Sequence, residues 1–263
     1  TPFAVISDKA NNRKYPIADY SLTPTVAIVD PALVLTVPGF VAADTGMDVL
    51  THATEAYVSQ MASDYTDGLA LQAIKLVFEN LESSVKNADF HSREKMHNAS
   101  TIAGMAFANA FLGISHSMAH KIGAQFHTVH GRTNAILLPY VIRYNGTRPA
   151  KTATWPKYNY YRADEKYQDI ARMLGLPAST PEEGVASYAK AVYELGERVG
   201  IEMNFKAQGI DEKEWKEHSR ELAFLAYEDQ CSPANPRLPM VDHMQEIIED
   251  AYYGYKERPG RRK

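Results

Sequence analysis

The feature that most constrains this chain is a change of period near residue 39. Upstream, the sequence is β-branched and punctuated by Pro24, Pro31 and Pro38. Downstream, apolar residues recur at helical spacing almost to the C-terminus. The pattern predicts helices over 46–62 and 66–86, the second with Leu69, Ala73, Leu76, Val77 and Leu81 on one face. It predicts one long central helix over 93–122, with Gly104 and Gly113 inside it for close packing, and another over 133–145 that stops at Asn145-Gly146. Further helices are expected over 164–174, from the N-cap Thr180 to Gly200, from Asp211 to about Tyr227, and over 240–253. Residues 147–162, 229–239 and the basic tail 256–263 read as loop or frayed end.

Residues 1–38 read as β. Phe3–Ile6 and Lys14–Ile17 fit a hairpin across a polar turn, and Thr25-Val26-Ala27-Ile28-Val29 fits a buried strand. Three such strands do not make a stable sheet by themselves. The opening Thr1–Ile6 resembles a strand already under way, with no initiator Met, so a fragment is expected.

Composition excludes several classes. A net charge of −4 gives no reason to expect nucleic acid or an anionic membrane as partner. No apolar run is long enough to span a bilayer, and no stretch reads as a signal peptide. The single cysteine, Cys231, excludes an internal disulfide, and a reducing, cytoplasmic setting is expected. It reads as a plain loop cysteine.

The chemistry concentrates in two blocks. In Gly46-Met47-Asp48-Val49-Leu50-Thr51-His52-Ala53, Asp48 and His52 stand four apart, on one helix face, among apolar neighbours. A carboxylate in such company needs a partner. The second block holds His116, His120, His127 and His130, four of the nine histidines within fifteen positions. One carboxylate and several imidazoles suit a divalent transition metal. Spacing does not say which of the four histidines bind it. Gly131 and Asn134 fit a helix start facing the site. No H-E-x-x-H, G-x-S-x-G, P-loop or G-x-G-x-x-G is present. A metal-dependent hydrolase on a helical scaffold, or a structural assembly module stapled by metal, stays open beside a metal-dependent redox enzyme.

The stretches G-M-D-V-L-T-H-A-T-E-A-Y (46–57) and A-G-M-A-F-A-N-A-F-L-G-I-S-H-S-M-A-H-K-I-G-A-Q-F-H-T-V-H-G-R-T-N-A-I-L-L-P (103–139) resemble the iron-dependent alcohol dehydrogenase family. Together with T-P-F-A-V-I-S-D (1–8), K-Y-P-I-A-D-Y-S-L-T-P (14–24) and D-Q-C-S-P-A-N-P-R-L-P (229–239), they look most like the C-terminal half of bifunctional aldehyde–alcohol dehydrogenases. The resemblance implies a mainly α fold. Residues 39–263 would form an all-helical metal-binding catalytic domain. Residues 1–38 would be a β remnant, the last strands of an α/β nucleotide-binding domain. It implies Asp48, His52, His116 and His130 as metal ligands, with Fe(II) first and zinc able to use the same ligand types. His120 falls on a histidine near the nicotinamide that relays a proton, Phe107 on the substrate pocket, and Lys14 near the cofactor. It implies an NAD-dependent enzyme interconverting a short-chain aldehyde, acetaldehyde, and ethanol, inactive as this piece alone. The small-molecule alcohol or aldehyde would be its partner, and the full-length form a homo-oligomer able to build filaments.

Overall fold

In the computed structural model, residues 1–8, 13–149 and 161–255 are described. Residues 9–12, which hold the expected polar turn, residues 150–160 and the tail 256–263 therefore lie outside the description.

The chain begins with an antiparallel hairpin, β1 (Phe3–Asp8) and β2 (Arg13–Ala18), with Phe3 opposite Ala18 and Ser7 opposite Lys14. Short 3-10 turns follow at Tyr20–Leu22 and Pro31–Val34, capped by Asp19 and Asp30. The expected third strand is absent. Thr25–Val29 forms no strand, and Val26 and Ile28 are 75% and 88% exposed. A strand needs a neighbour for its N–H and C=O groups. Among the described residues β1 and β2 pair only with each other, and Thr25–Val29 docks on neither of their outer edges.

The rest is helical: α1 (Gly39–Val58), α2 (Asp64–Lys86), α3 (Phe90–Ala110), α4 (Ile114–Phe126), α5 (His130–Asn145), α6 (Ala163–Met173), α7 (Pro181–Arg198), α8 (Glu212–Tyr227) and α9 (Val241–Tyr253). Thr180 caps α7, with its Oγ1 accepting from Glu183 N, as the Thr-Pro-Glu-Glu run predicts. α1 starts seven residues earlier than its apolar pattern suggests, directly after Pro38.

The single helix expected over 93–122 is two helices. The chain turns by 107° between α3 and α4. Phe111 closes α3 with φ 61, a left-handed conformation. Gly113 then opens α4, whose first N–H groups are capped from another helix: Glu55 on α1 accepts from Gly113 N (3.0 Å) and Ser115 N (2.7 Å). A Cβ on Gly113 would stand 2.9 Å from Glu55 Oε1 and 2.8 Å from Asn235 Oδ1, so only glycine permits this approach. The local sequence carries no capping side chain, which is why its periodicity reads as continuous.

Two apolar clusters form the interior. One joins α1, α2, α3, α6 and α7 through residues such as Met47, Leu50, Ile74, Leu81 and Tyr188. The other joins α4, α5, α8 and α9 through Ile114, Met118, Trp215 and Ile248. Helix α5 feeds both, with Ala135, Leu138 and Ile142 in the first and Ile136, Leu137 and Val141 in the second. No single described helix is long and apolar enough to cross a membrane.

Candidate metal centre

The site lies where α1 meets α4 and α5. Asp48 and His52 come from one face of α1, His116 from α4 and His130 from the first residue of α5. Gly131 sets the approach. A Cβ there would run into the backbone carbonyl of Asp44, so α5 reaches α1 only because this residue is glycine. Asp44 and Arg132 then pin the two helices, with Nε to Oδ1 at 2.9 Å and a second nitrogen to Oδ2 at 3.1 Å.

Ligand atoms of Asp48, His52 and His116 lie within 4.8 Å of one another. Nε2 of His130 is 3.8 Å from Asp48 Oδ1, and Nε2 of His116 is 3.7 Å from the same oxygen. The His52 and His116 rings stack at 4.5 Å, and His116 and His130 stand 5.4 Å apart. Thus the four expected ligands gather. His127 does not: it is exposed at the left-handed C-terminus of α4 and offers no atom to the cluster.

The surrounding polar groups tell which lone pairs face inward. Glu55 Oε2 lies 2.6 Å from His116 Nδ1. Burial drives the His116 imidazole well below its ordinary pKa, and the neighbouring His52 adds to this, so the ring is neutral. With Glu55 ionised, this contact calls for the ring's one proton on Nδ1, donated to Glu55, which leaves the lone pair on Nε2. That Nε2 is buried and has no hydrogen-bond partner. Burial pushes the Glu55 carboxyl up to about 7, against the pull of the Gly113 and Ser115 N–H groups. For Asp48, burial acts to raise the pKa, but the charges of His52 and His130 and a hydrogen bond from Asn134 outweigh it and hold it low. Asn134 Nδ2 donates to Asp48 Oδ1 at 2.8 Å, and its Oδ1 accepts from Ser115 Oγ at 3.2 Å. In that tautomer an Asp48 carboxylate oxygen and the His116 lone pair face each other at 3.7 Å in a buried place. This donor set, one carboxylate and three imidazoles, fits a divalent transition metal.

One helical turn beyond His116 lies His120. Its Nδ1 stands 3.2 Å from Asp229 Oδ2, and Lys121 Nζ holds the same oxygen at 2.8 Å. Burial works to raise the Asp229 carboxyl, but His120 and Lys121 together hold it well below the usual carboxylate range. Cys231 is buried beside them, and burial with the Asp229 charge pushes its thiol far up, so it is no ready nucleophile.

A cavity of ≈ 230 Å³ opens on this centre, lined by His52, His116, His120 and His130, by the apolar Phe3, Phe107, Phe111 and Leu112, and by Gln230 and Cys231 among others. Phe107, expected in the substrate pocket, stacks on His52 at 4.6 Å. Lys14 sits in β2 opposite Ser7; its side chain lies outside the described residues.

Sequence reasoning missed Glu55 and Asp229, and took Asn134 only as part of a helix start and not as a partner of Asp48. Glu55 is three residues after His52 and Asn134 four after His130, so each shares a helix face with a ligand, a signal that helical spacing offers. Asp229 touches His120 across 109 positions of chain and has no such local mark.

The chain is 98% identical to an aldehyde-alcohol dehydrogenase of Streptococcus pneumoniae serotype 2, over all of this chain and 30% of that protein. It therefore spans under a third of the length of that relative. Among solved structures, an iron-containing alcohol dehydrogenase from Thermococcus thioreducens superposes with a TM-score of 0.84 at 34% identity, covering 97% of this chain and 61% of that one. Sulfoacetaldehyde reductase from Bifidobacterium kashiwanohense, in complex with NAD+, superposes with a TM-score of 0.78 at 28% identity, over 94% of this chain and 60% of that one. The profile of the Fe-containing alcohol dehydrogenase family, C-terminal, matches residues 42–252, from the first turn of α1 to the last of α9, and the chain belongs to that family.

Proposed function

We propose that the complete protein bearing this chain is an alcohol dehydrogenase that interconverts acetaldehyde and ethanol with NAD(H). In this reading Asp48, His52, His116 and His130 hold a divalent iron. Residues 1–38 belong to the nucleotide-binding domain and residues 39–263 form the metal-binding one. The observation that carries the reading is the buried, unpartnered Nε2 of His116, 3.7 Å from the Asp48 carboxylate. The names of the relatives supply the reaction class, and the NAD+ complex of the reductase supplies the cofactor. The described residues hold no glycine-rich phosphate cradle, so this chain is assigned the metal ligands and the proton route, not the nucleotide's phosphates.

When bound, the two groups supply Lewis acidity toward the substrate oxygen and hydride exchange with its carbon. Everything else falls to side chains. Glu55 fixes the His116 tautomer, and Asn134 fixes the Asp48 carboxylate. Phe3, Phe107, Phe111 and Leu112 keep water from the apolar end of the cavity. His120, with Nδ1–H turned to Asp229, presents Nε2 to take the hydroxyl proton during oxidation and return it during reduction. The Asp229 carboxylate steadies the imidazolium that forms, and Lys121 keeps that carboxylate ionised.

Asp48→Ala or His130→Ala in the complete protein should lose bound metal and NADH-dependent acetaldehyde reduction together. Elemental analysis beside the NADH assay is the check; full activity with undiminished metal would sink the assignment. Wild-type protein that turns over no alcohol with either nicotinamide, yet hydrolyses a substrate, would favour the hydrolase instead.

A further inference from the structure

Phe111 occupies a backbone conformation that other side chains avoid. Its φ of 61 and ψ of −170 lie in a region essentially reserved for glycine. The tight turn between α3 and α4 needs such a residue, and glycine would meet the need without strain. The chain places a phenylalanine there instead. Strained residues are held in place by their surroundings and cluster at active sites and ligand clamps.

What the ring does is visible in its surroundings. A ladder of aromatic contacts leads away from the metal centre. His116 stacks on His52 at 4.5 Å and His52 on Phe107 at 4.6 Å. Phe107 meets Phe3 of β1 at 5.8 Å, and Phe3 meets the edge of Phe111 at 5.7 Å. Phe111 is therefore the last ring of the series, and it lines the same cavity as the histidines. It is part-buried and belongs to neither apolar cluster of the interior. Its backbone N–H closes α3 on Phe107 O at 2.8 Å, so a cavity-facing ring is fixed to the end of the helix that carries Phe107.

We propose that Phe111 is a specificity-determining residue, whose ring closes the apolar end of the cavity and sets the length of primary alcohol that fits. This rests on the alcohol dehydrogenase reading above. A substrate oxygen placed at the histidines sends its carbon chain toward Phe107, Phe3 and Phe111, the apolar side of the cavity. Each methylene that an apolar pocket accepts or rejects changes kcat/KM by about 10- to 200-fold. Opening the far wall should therefore shift preference toward longer chains rather than lower activity uniformly.

The test compares wild type with Phe111→Gly in the complete protein. It measures kcat/KM for ethanol and 1-hexanol, with metal content read in parallel by elemental analysis. The expected result is a rise of at least tenfold in the hexanol-to-ethanol ratio, carried by a lower KM for hexanol, with metal content kept. An unchanged ratio, or an equal fall for both alcohols with metal retained, would overturn the inference and leave the ring a packing role. Phe111→Leu, which keeps an apolar side chain, is the second variant should the glycine variant not fold. It should move the ratio in the same direction, and a static ratio there overturns the inference as well. Wild-type protein inactive on both alcohols defeats the underlying reading, and this inference with it.

Discussion

Helix α4 carries two histidine–carboxylate pairs one turn apart, and they are built for opposite ends. His116 and Glu55 are both sealed from solvent, with burial holding the imidazole neutral and pushing the carboxyl up to about 7. Glu55 is also tied down by two backbone N–H groups of the helix end it caps. His120 and Asp229 form the looser pair. The ring sits in the cavity wall, and Lys121 adds a permanent positive charge that keeps the carboxylate ionised. The difference shows how one residue type serves two tasks. A fully buried partner without countercharge locks a tautomer and aims a lone pair. In the proposed function, an equally buried carboxylate with a lysine countercharge lets the His120 ring in the cavity wall gain and lose a proton.

The sharpest way to break this comparison is at Glu55. Glu55→Ala strips the acceptor from His116 Nδ1, Gly113 N and Ser115 N, and unpaired buried donors cost about 1–3 kcal/mol each. Denaturant unfolding should therefore show a loss of about 3–5 kcal/mol. Glu55→Gln keeps the shape and part of the hydrogen bonding. Its effect should appear as metal affinity weakened by about 10- to 100-fold in a chelator competition, with a smaller loss of stability. Unaltered affinity in Glu55→Gln would remove Glu55 from any positioning role.

Asp229→Asn should act on the other pair alone. Metal content should stay, while kcat falls by roughly tenfold or more and its pH profile moves. A preserved profile would mean that Asp229 serves only to pack the loop. The smallest effect concerns acid. Because Asp229 has a lowered folded-state pKa, its contribution to stability is present above its unfolded value of about 4 and is lost as pH falls below that. Asp229→Asn should lower stability most at neutral pH, where the contribution is fully present, and flatten the part of the acid-unfolding curve below about pH 4, where wild type loses it. A curve of the same steepness in both proteins would count against the ion pair.

Much of this was written in short-range spacing. Asp48 with His52 and His116 with His120 are read from positions four apart, and the helices from their apolar stripes. What escaped is long-range. Glu55 caps a helix 58 positions away, so α3 and α4 read as one. Thr25–Val29 has the composition of a strand, but composition does not supply an edge to pair with. Asn134 reaches Asp48 across 86 positions, and only the packing of α5 on α1 brings them together.

Helix α5 sits in both apolar interiors at once while its first residue is a candidate ligand. The two halves of the helical body thus cannot loosen separately without disturbing His130. In the proposed function, a lesion deep in either half, at Ile74 or at Ile248, is expected to lower metal occupancy. The centre is in that sense a gauge of the whole body's cooperativity, and metal release should follow global melting as one event rather than precede it.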